Sequence, residues 1–383
     1  MKKFTKRMAS AVMILLVLAS LLLSVAAEKK TYSDSQNSGI RDEICLSLEG
    51  TGAESYYSGN EYEKLSAMSD SELLAALRSL MTVTHTYKST YAESRDLAAK
   101  TDCEGGNGKI VLLYTSNTVE FSDFIGSGSI GWNREHVWPK SLGGFENSGA
   151  GADLHHVRPD DVTTNSKRGN LKFGNAAGGS EVKGSSLVSG ALGGYSLGGY
   201  FEPLDNVKGD VARICLYVYV RYGTELSKCS SITNVFESVD VLLEWCESDP
   251  VDTWEMGRNE VVGKIQGNRN VFIDYPEYAW LIFGREVPEN MTTPSGMAMK
   301  KEETTVEVTT EEITASVTVE ETTEAEVETT EEIVQTMEET YPIPLTSTPE
   351  TLPSEDGGCG GFAEYTVLML IPVLFAAFKK NKE

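Results

Sequence analysis

From Glu302 to Glu339 the chain carries fourteen glutamates and not one lysine or arginine, and this tract does most to limit what the 383 residues can fold into. Threonine and valine fill much of the space between the glutamates. The first aromatic residue is Tyr341, and Pro342, Pro344, Pro349 and Pro353 follow. Like charges at this density repel, and without large apolar side chains the tract cannot bury enough surface to offset the entropy of ordering. The expectation is a disordered, acidic C-terminal stalk over residues 296–356, extended and solvated. Of the net charge of −24, those fourteen glutamates account for −14, leaving −10 on everything else.

Both ends read as targeting segments. Lys2, Lys3, Lys6 and Arg7 precede an apolar run from Met8 to Leu23, and the small residues Ser24, Val25, Ala26 and Ala27 follow. This pattern predicts a secretory signal peptide over residues 1–27. The alternative is an uncleaved anchor helix, and either one takes the rest of the chain out of the cytoplasm. At the other end, Gly357 to Gly361 leads into an apolar stretch from Tyr365 to Phe378, closed by Lys379, Lys380 and Lys382. As a helix that stretch measures about 21 Å, short against a hydrocarbon core of about 30 Å. It resembles bacterial C-terminal sorting signals. Residues 357–383 are therefore expected to be a sorting segment or a short membrane-proximal tail helix, retaining the protein at the bacterial cell surface with its lysines inside.

What remains, residues 28–295, is long enough for one sizeable domain. It holds five cysteines (Cys45, Cys103, Cys215, Cys229 and Cys246), an odd number with no CxxC-type zinc spacing, so at least one thiol is expected to stay free. Ser71–Met81 has leucines at helical spacing behind Ser69 and Asp70, which predicts a capped helix. Lys109–Tyr114 reads as a buried strand. The glycine- and serine-rich segment 174–200 reads as a long loop or short hairpins. Asp210–Tyr222 reads as a buried helix, its β-branched content leaving a strand open, and Val239–Trp245 as a helix. Helices and strands without regular alternation predict an α+β fold.

Three of the four histidines fall within two short segments. The first is Trp132-Asn133-Arg134-Glu135-His136-Val137-Trp138-Pro139. The second runs Asp153-Leu154-His155-His156-Val157-Arg158-Pro159, then Asp160-Asp161-Val162-Thr163-Thr164-Asn165-Ser166-Lys167-Arg168-Gly169. Each reads as a strand closed by its proline. A helix follows, capped by Asp160 and Asp161 and stopped at Gly169. Such a β-β-α unit suits phosphodiester hydrolysis. A neutral imidazole, His136, can take a proton from the attacking water. A hard divalent cation can offset the charge on the phosphoryl and leaving oxygens. Mg²⁺ asks for only one or two protein oxygens, here Glu135 and Asn165. Adjacent strand residues face opposite ways, so Glu135 and His136 can share a site only where the strand ends.

These motifs, with DPVDTWEMGRNEVVGKIQGNRNVFID at 249–274, resemble the endonuclease I-like secreted nucleases of bacteria, a branch of the His-Me finger (ββα-metal) group. The resemblance covers most of residues 60–285. It implies His136 as general base, Glu135 and Asn165 as metal ligands, and Mg²⁺ as cofactor with Mn²⁺ or Ca²⁺ as substitutes. It also implies DNA, often RNA too, as substrates cut with little sequence preference. Some relatives carry an arginine between the two finger strands that holds the scissile phosphate, and this chain has none between Lys140 and Asp153. Arg134, Arg158 and Arg168 are the candidate substitutes, Arg168 favoured because it lies one turn from Asn165. With Lys167 these are the expected substrate-binding cations.

His155, His156, Asp153, Asn170 and His85 read first as packing, turn or hydrogen-bonding residues, and Asn268 and Asn270 as braces for the finger. The rival function is a surface-tethered adhesion or binding protein on an inactive nuclease scaffold. A scaffold has no need for Glu135, His136 and Asn165 together. A zinc peptidase would need HExxH or HxxEH, and neither is present.

Overall fold

The computed structural model describes residues 41–298 apart from 42, 106 and 127. The expected signal peptide, nearly all of the stalk and the tail segment lie outside them. Among the described residues, no helix is long and apolar enough to cross a membrane.

The leucine periodicity becomes helix α1, Asp70–Thr84, which buries Leu73, Leu77, Leu80 and Met81 on one stripe. Ser69 and Glu72 close a reciprocal capping box at its start. A second helix, α2 (Tyr91–Thr101), has the same device in Thr90 and Glu93. The predicted strand at 109–114 is shorter than expected. β1 (Lys109–Val111) pairs with β2 (Thr118–Glu120), while Leu112, Leu113 and Tyr114 continue as fully buried irregular chain.

β3 (Trp132–His136) and β4 (Val157–Asp161) form a separate antiparallel pair, and α3 (Val162–Arg168) follows without a break. The glycine-rich stretch after it makes most of a four-stranded sheet: β5 (Lys172–Phe173), β6 (Ser180–Lys183), β7 (Leu192–Leu197) and β8 (Tyr200–Pro203), in the order β5-β8-β7-β6. Short hairpins, one of the two expected forms, are what the segment adopts. α4 (Asp205–Tyr222) is a helix buried on nearly every side, its β-branched residues notwithstanding. α5 (Val239–Ser248) and α6 (Thr253–Gln266) complete the larger elements.

The main apolar core gathers Leu77 of α1, Val211 and Leu216 of α4, Leu242 and Trp245 of α5, and Phe173 and Phe201 of the sheet. A smaller cluster of Ile110, Leu112, Val119 and Trp132 sits under the start of β3. Mixed helices and small sheets in this order make an α+β domain. All five cysteines of the module are buried, and Cys103, Cys215, Cys229 and Cys246 are free thiols, which goes beyond the expectation of at least one.

Candidate active site

Each residue of β3 has a definite partner: Trp132 faces Asp161, Asn133 faces Asp160, Arg134 faces Pro159, Glu135 faces Arg158 and His136 faces Val157. The second strand was expected over 153–159 with Pro159 as its end. It instead begins at Val157 and runs through Pro159 to Asp161. Pro159 is tolerated because its carbonyl accepts from Leu113 N on the side away from β3, so its missing N–H also faces away from the ladder. Residues 153–156 form a turn, with His156 N and Val157 N both donating to Asp153 O. His155 and His156 therefore do not alternate across a sheet, and both are buried.

Asp161, not Asp160, caps α3. Its Oδ1 accepts from Thr163 N at 2.9 Å and Thr164 N at 3.1 Å, and also from Ser185 N at 2.9 Å. The Ser185 hydroxyl donates to Asp161 Oδ2, tying the sheet to the helix start. Gly169 ends the helix with φ of 55°, a conformation that favours glycine. Between cap and stop, Asn165 is turned onto β3. Its Nδ2 donates to Asn133 Oδ1 at 2.8 Å and Arg134 O at 3.3 Å. With the nitrogen anchored, Oδ1 is directed elsewhere.

Contacts follow the strand alternation. Asn133 and Glu135 meet Asn165 and Arg168 of α3, whereas Arg134 and His136 meet Tyr91 at the start of α2. Glu135 is buried. Its Oε1 accepts from the Tyr114 hydroxyl at 2.7 Å and Arg168 Nη1 at 2.9 Å. Burial pushes its pKa up, opposed chiefly by the Arg168 charge. An ionised carboxylate has about four lone-pair sites, and these two donors both fall on Oε1, which leaves capacity open on the carboxylate.

The His136 ring is half-buried, with Nε2 2.9 Å from the Gly151 carbonyl. A carbonyl can only accept, so Nε2 carries the proton and Nδ1 keeps its lone pair. Burial first, then repulsion from His156, lower the pKa of His136 to about 3, so the ring is neutral at physiological pH. Glycine is required at 151: a Cβ there would lie 1.7 Å from the Glu146 carbonyl oxygen.

The candidate cations divide sharply. Arg168, expected to reach the scissile phosphate, is fully enclosed. Its guanidinium donates to Glu135 and to the carbonyls of His136 and Val137, and lies over the Phe173 ring. Arg158 is also interior, paired with Asp102 at 2.8 Å. In this conformation neither can meet a phosphate arriving from solvent, and that expectation is revised for both. Arg134 is half-buried, stacked on Tyr91 and donating to the Tyr91 carbonyl. Lys167 is exposed, its Nζ on the Lys183 carbonyl at 2.8 Å.

Asp153 is a hub under the site. It accepts from the hydroxyls of Tyr217 and Tyr222, from Gln266 Nε2 and from His155 N, with His85 3.8 Å away. Burial alone would raise its pKa; nearby histidines and these donors hold it well below the usual carboxylate range. His155 Nε2 donates to Asn268 O, and Asn268 donates to Tyr217. Asn270 caps the short helix at 271–274 and reaches Arg213 O, away from the finger, so of the two expected braces only Asn268 meets it, through the carbonyl that His155 holds. Tyr91, Tyr114 and Gly151 went unnoticed in the sequence. Thr90 and Glu93, a capping-box pair, were the available signal for the helix that presents Tyr91.

Among the described residues, no group of three or more His, Cys, Asp or Glu side chains could hold a metal ion. A cation here would rest on one carboxylate and one amide oxygen, with water completing its shell.

Residues 71–277 match the model of a family described as Endonuclease I. The chain is 41% identical over 231 residues to an extracellular ribonuclease of Bacillus amyloliquefaciens, covering 57% of this chain and 76% of the relative. It is 39% identical over 203 residues to an extracellular ribonuclease of Bacillus subtilis, covering 50% and 67%. A shorter match, 38% over 72 residues, links it to a periplasmic deoxyribonuclease of Aeromonas hydrophila, covering 19% and 27%.

Proposed function

The chain belongs to the endonuclease I family, and from that premise we propose that it is an exported, metal-dependent endonuclease hydrolysing RNA and DNA with little sequence preference. The observation that carries the reading is the His136 tautomer. With Nε2–H held by Gly151 O, the ring presents an unprotonated Nδ1 as general base. The base is preorganised before substrate arrives.

Glu135 and Asn165 are the proposed metal ligands. The fit rests on the amide oxygen left over once Asn165 Nδ2 is anchored, and on the open site of the Glu135 carboxylate. A bound Mg²⁺ would supply charge stabilisation at the phosphoryl and leaving oxygens. Arg168 positions Glu135 and offsets its buried charge, and Tyr114 holds the same oxygen from the other side. Arg134 and Lys167 are left to meet phosphates. His136 is the last residue of β3, the point at which the strand alternation ends. Location outside the cell is proposed from relatives named as extracellular or periplasmic, and RNA as a substrate from the two ribonucleases. Retention at the surface by residues 357–383 is the remaining part of the proposal, read out by cell fractionation.

The test is digestion of RNA and plasmid DNA by the purified exported protein with Mg²⁺ or Mn²⁺. Cutting stops with EDTA, His136→Ala lowers the rate by at least about 10²-fold, and Asn165→Ala recovers partly as metal is raised. Undiminished cutting by a folded His136→Ala protein would remove the mechanism.

A further inference from the structure

Tyr91 touches both Arg134 and His136, yet the proposed reaction gives it no task. It opens α2, where the start is rigid: Thr90 Oγ1 accepts from Glu93 N at 3.2 Å, Glu93 Oε2 accepts from Thr90 N at 2.7 Å, and the Tyr87 hydroxyl donates to Glu93 Oε1. The Arg134 guanidinium carbon lies 3.5 Å from the centre of the Tyr91 ring, and Nη1 donates to the Tyr91 carbonyl. The His136 ring lies nearly parallel to the same ring, 15° between planes and 5.5 Å between centres. Its other ring neighbours, Phe145 and His156, are tilted by 46° and 54°.

One hydrogen bond from His136 Nε2 to Gly151 fixes a point on the imidazole, not its plane. Free to swing about that point, the ring would carry Nδ1 off the line of proton transfer. A parallel aromatic face stops the swing. We propose that Tyr91 is a positioning residue for the hydrolysis, its ring holding the imidazole plane so that Nδ1 stays aimed at the attacking water, with Arg134 clamping the tyrosine from β3. The inference rests on His136 being the general base. It asks for an aromatic face and gives the hydroxyl no part.

The experiment compares Tyr91→Phe with Tyr91→Leu in the exported protein with Mg²⁺, on a short oligonucleotide substrate, with thermal unfolding as the folding control. Tyr91→Phe should keep kcat within about twofold. Tyr91→Leu should lower kcat by about tenfold or more while KM moves much less, the signature of lost alignment. Should the leucine variant not fold, Tyr91→Met is read the same way. A second readout is independent of activity: nitrogen-15 shifts of the His136 ring should report a single Nε2–H tautomer in the parent and Tyr91→Phe, and averaging in Tyr91→Leu. Unchanged kcat in a folded leucine variant, equal loss in Tyr91→Phe, or a loss lying wholly in KM would each overturn the proposal. Parental cutting by His136→Ala is a different failure, that of the base assignment, and leaves the ring-shift result to be judged by itself.

Discussion

At the scale of single residues, the histidines show how one side-chain type takes different work from its surroundings. His156 is fully buried, with Nδ1 2.6 Å from Ala150 O and Nε2 accepting from Trp138 N at 2.9 Å. It holds the chain just beyond His136, and protonation at Nε2 would break the Trp138 bond. Burial lowers its pKa to about 4, against about 6.5 in the unfolded chain. The sign follows: between about pH 6.5 and 4 only the unfolded chain takes the proton, so this histidine's contribution to stability is whole above 6.5 and falls on acidification, by at most about 3 kcal/mol. His156→Asn lacks that titration. The stability gap between parent and variant, measured by urea denaturation, should be widest near pH 7.5 and shrink toward pH 4.5. A gap independent of pH would contradict the assignment. The arginines teach the complementary lesson. Arg158 and Arg168 looked like phosphate contacts in the sequence because charge is visible there and burial is not.

Among the elements, α3 carries the most consequence for its seven residues. Asp161 Oδ1 satisfies two helix N–H groups and reaches Ser185, so one carboxylate sets the helix and fastens it to the sheet. Asp161→Ala should cost about 1–2 kcal/mol for the lost cap, with the Ser185 bonds adding to it. Because Asn165 sits one turn on, the metal concentration for half-maximal activity should also rise. A titration of rate against Mg²⁺ in the folded variant checks this, and an unchanged midpoint would separate the cap from the site. Helix α3 was legible, since an aspartate cap and a glycine stop bracket it, and so was the strand holding Glu135 and His136. The second strand was misplaced because Pro159 was read as a stop, when the direction of its absent N–H is set by Leu113, a neighbour remote in sequence. The four-stranded sheet was only half visible for a similar reason. Its glycines allow backbones to approach, as at Gly194, where a Cβ would lie 2.4 Å from the Glu202 carbonyl oxygen, and such closeness leaves no apolar alternation to read.

For the whole molecule, charge and substrate are at odds. A polyanion must dock on a protein with net charge −24, and with Arg158 and Arg168 enclosed, Arg134 and Lys167 are the proposed cations left to meet it. Two phosphate contacts predict that KM rises about tenfold between 50 and 200 mM salt, with kcat nearly constant. A rise of a thousandfold would mean a larger basic footprint than these two side chains. Finally, Cys103, Cys215, Cys229 and Cys246 sit as free thiols in the interior. None of these four is cross-linked, so a reducing medium removes no covalent support from this part of the core.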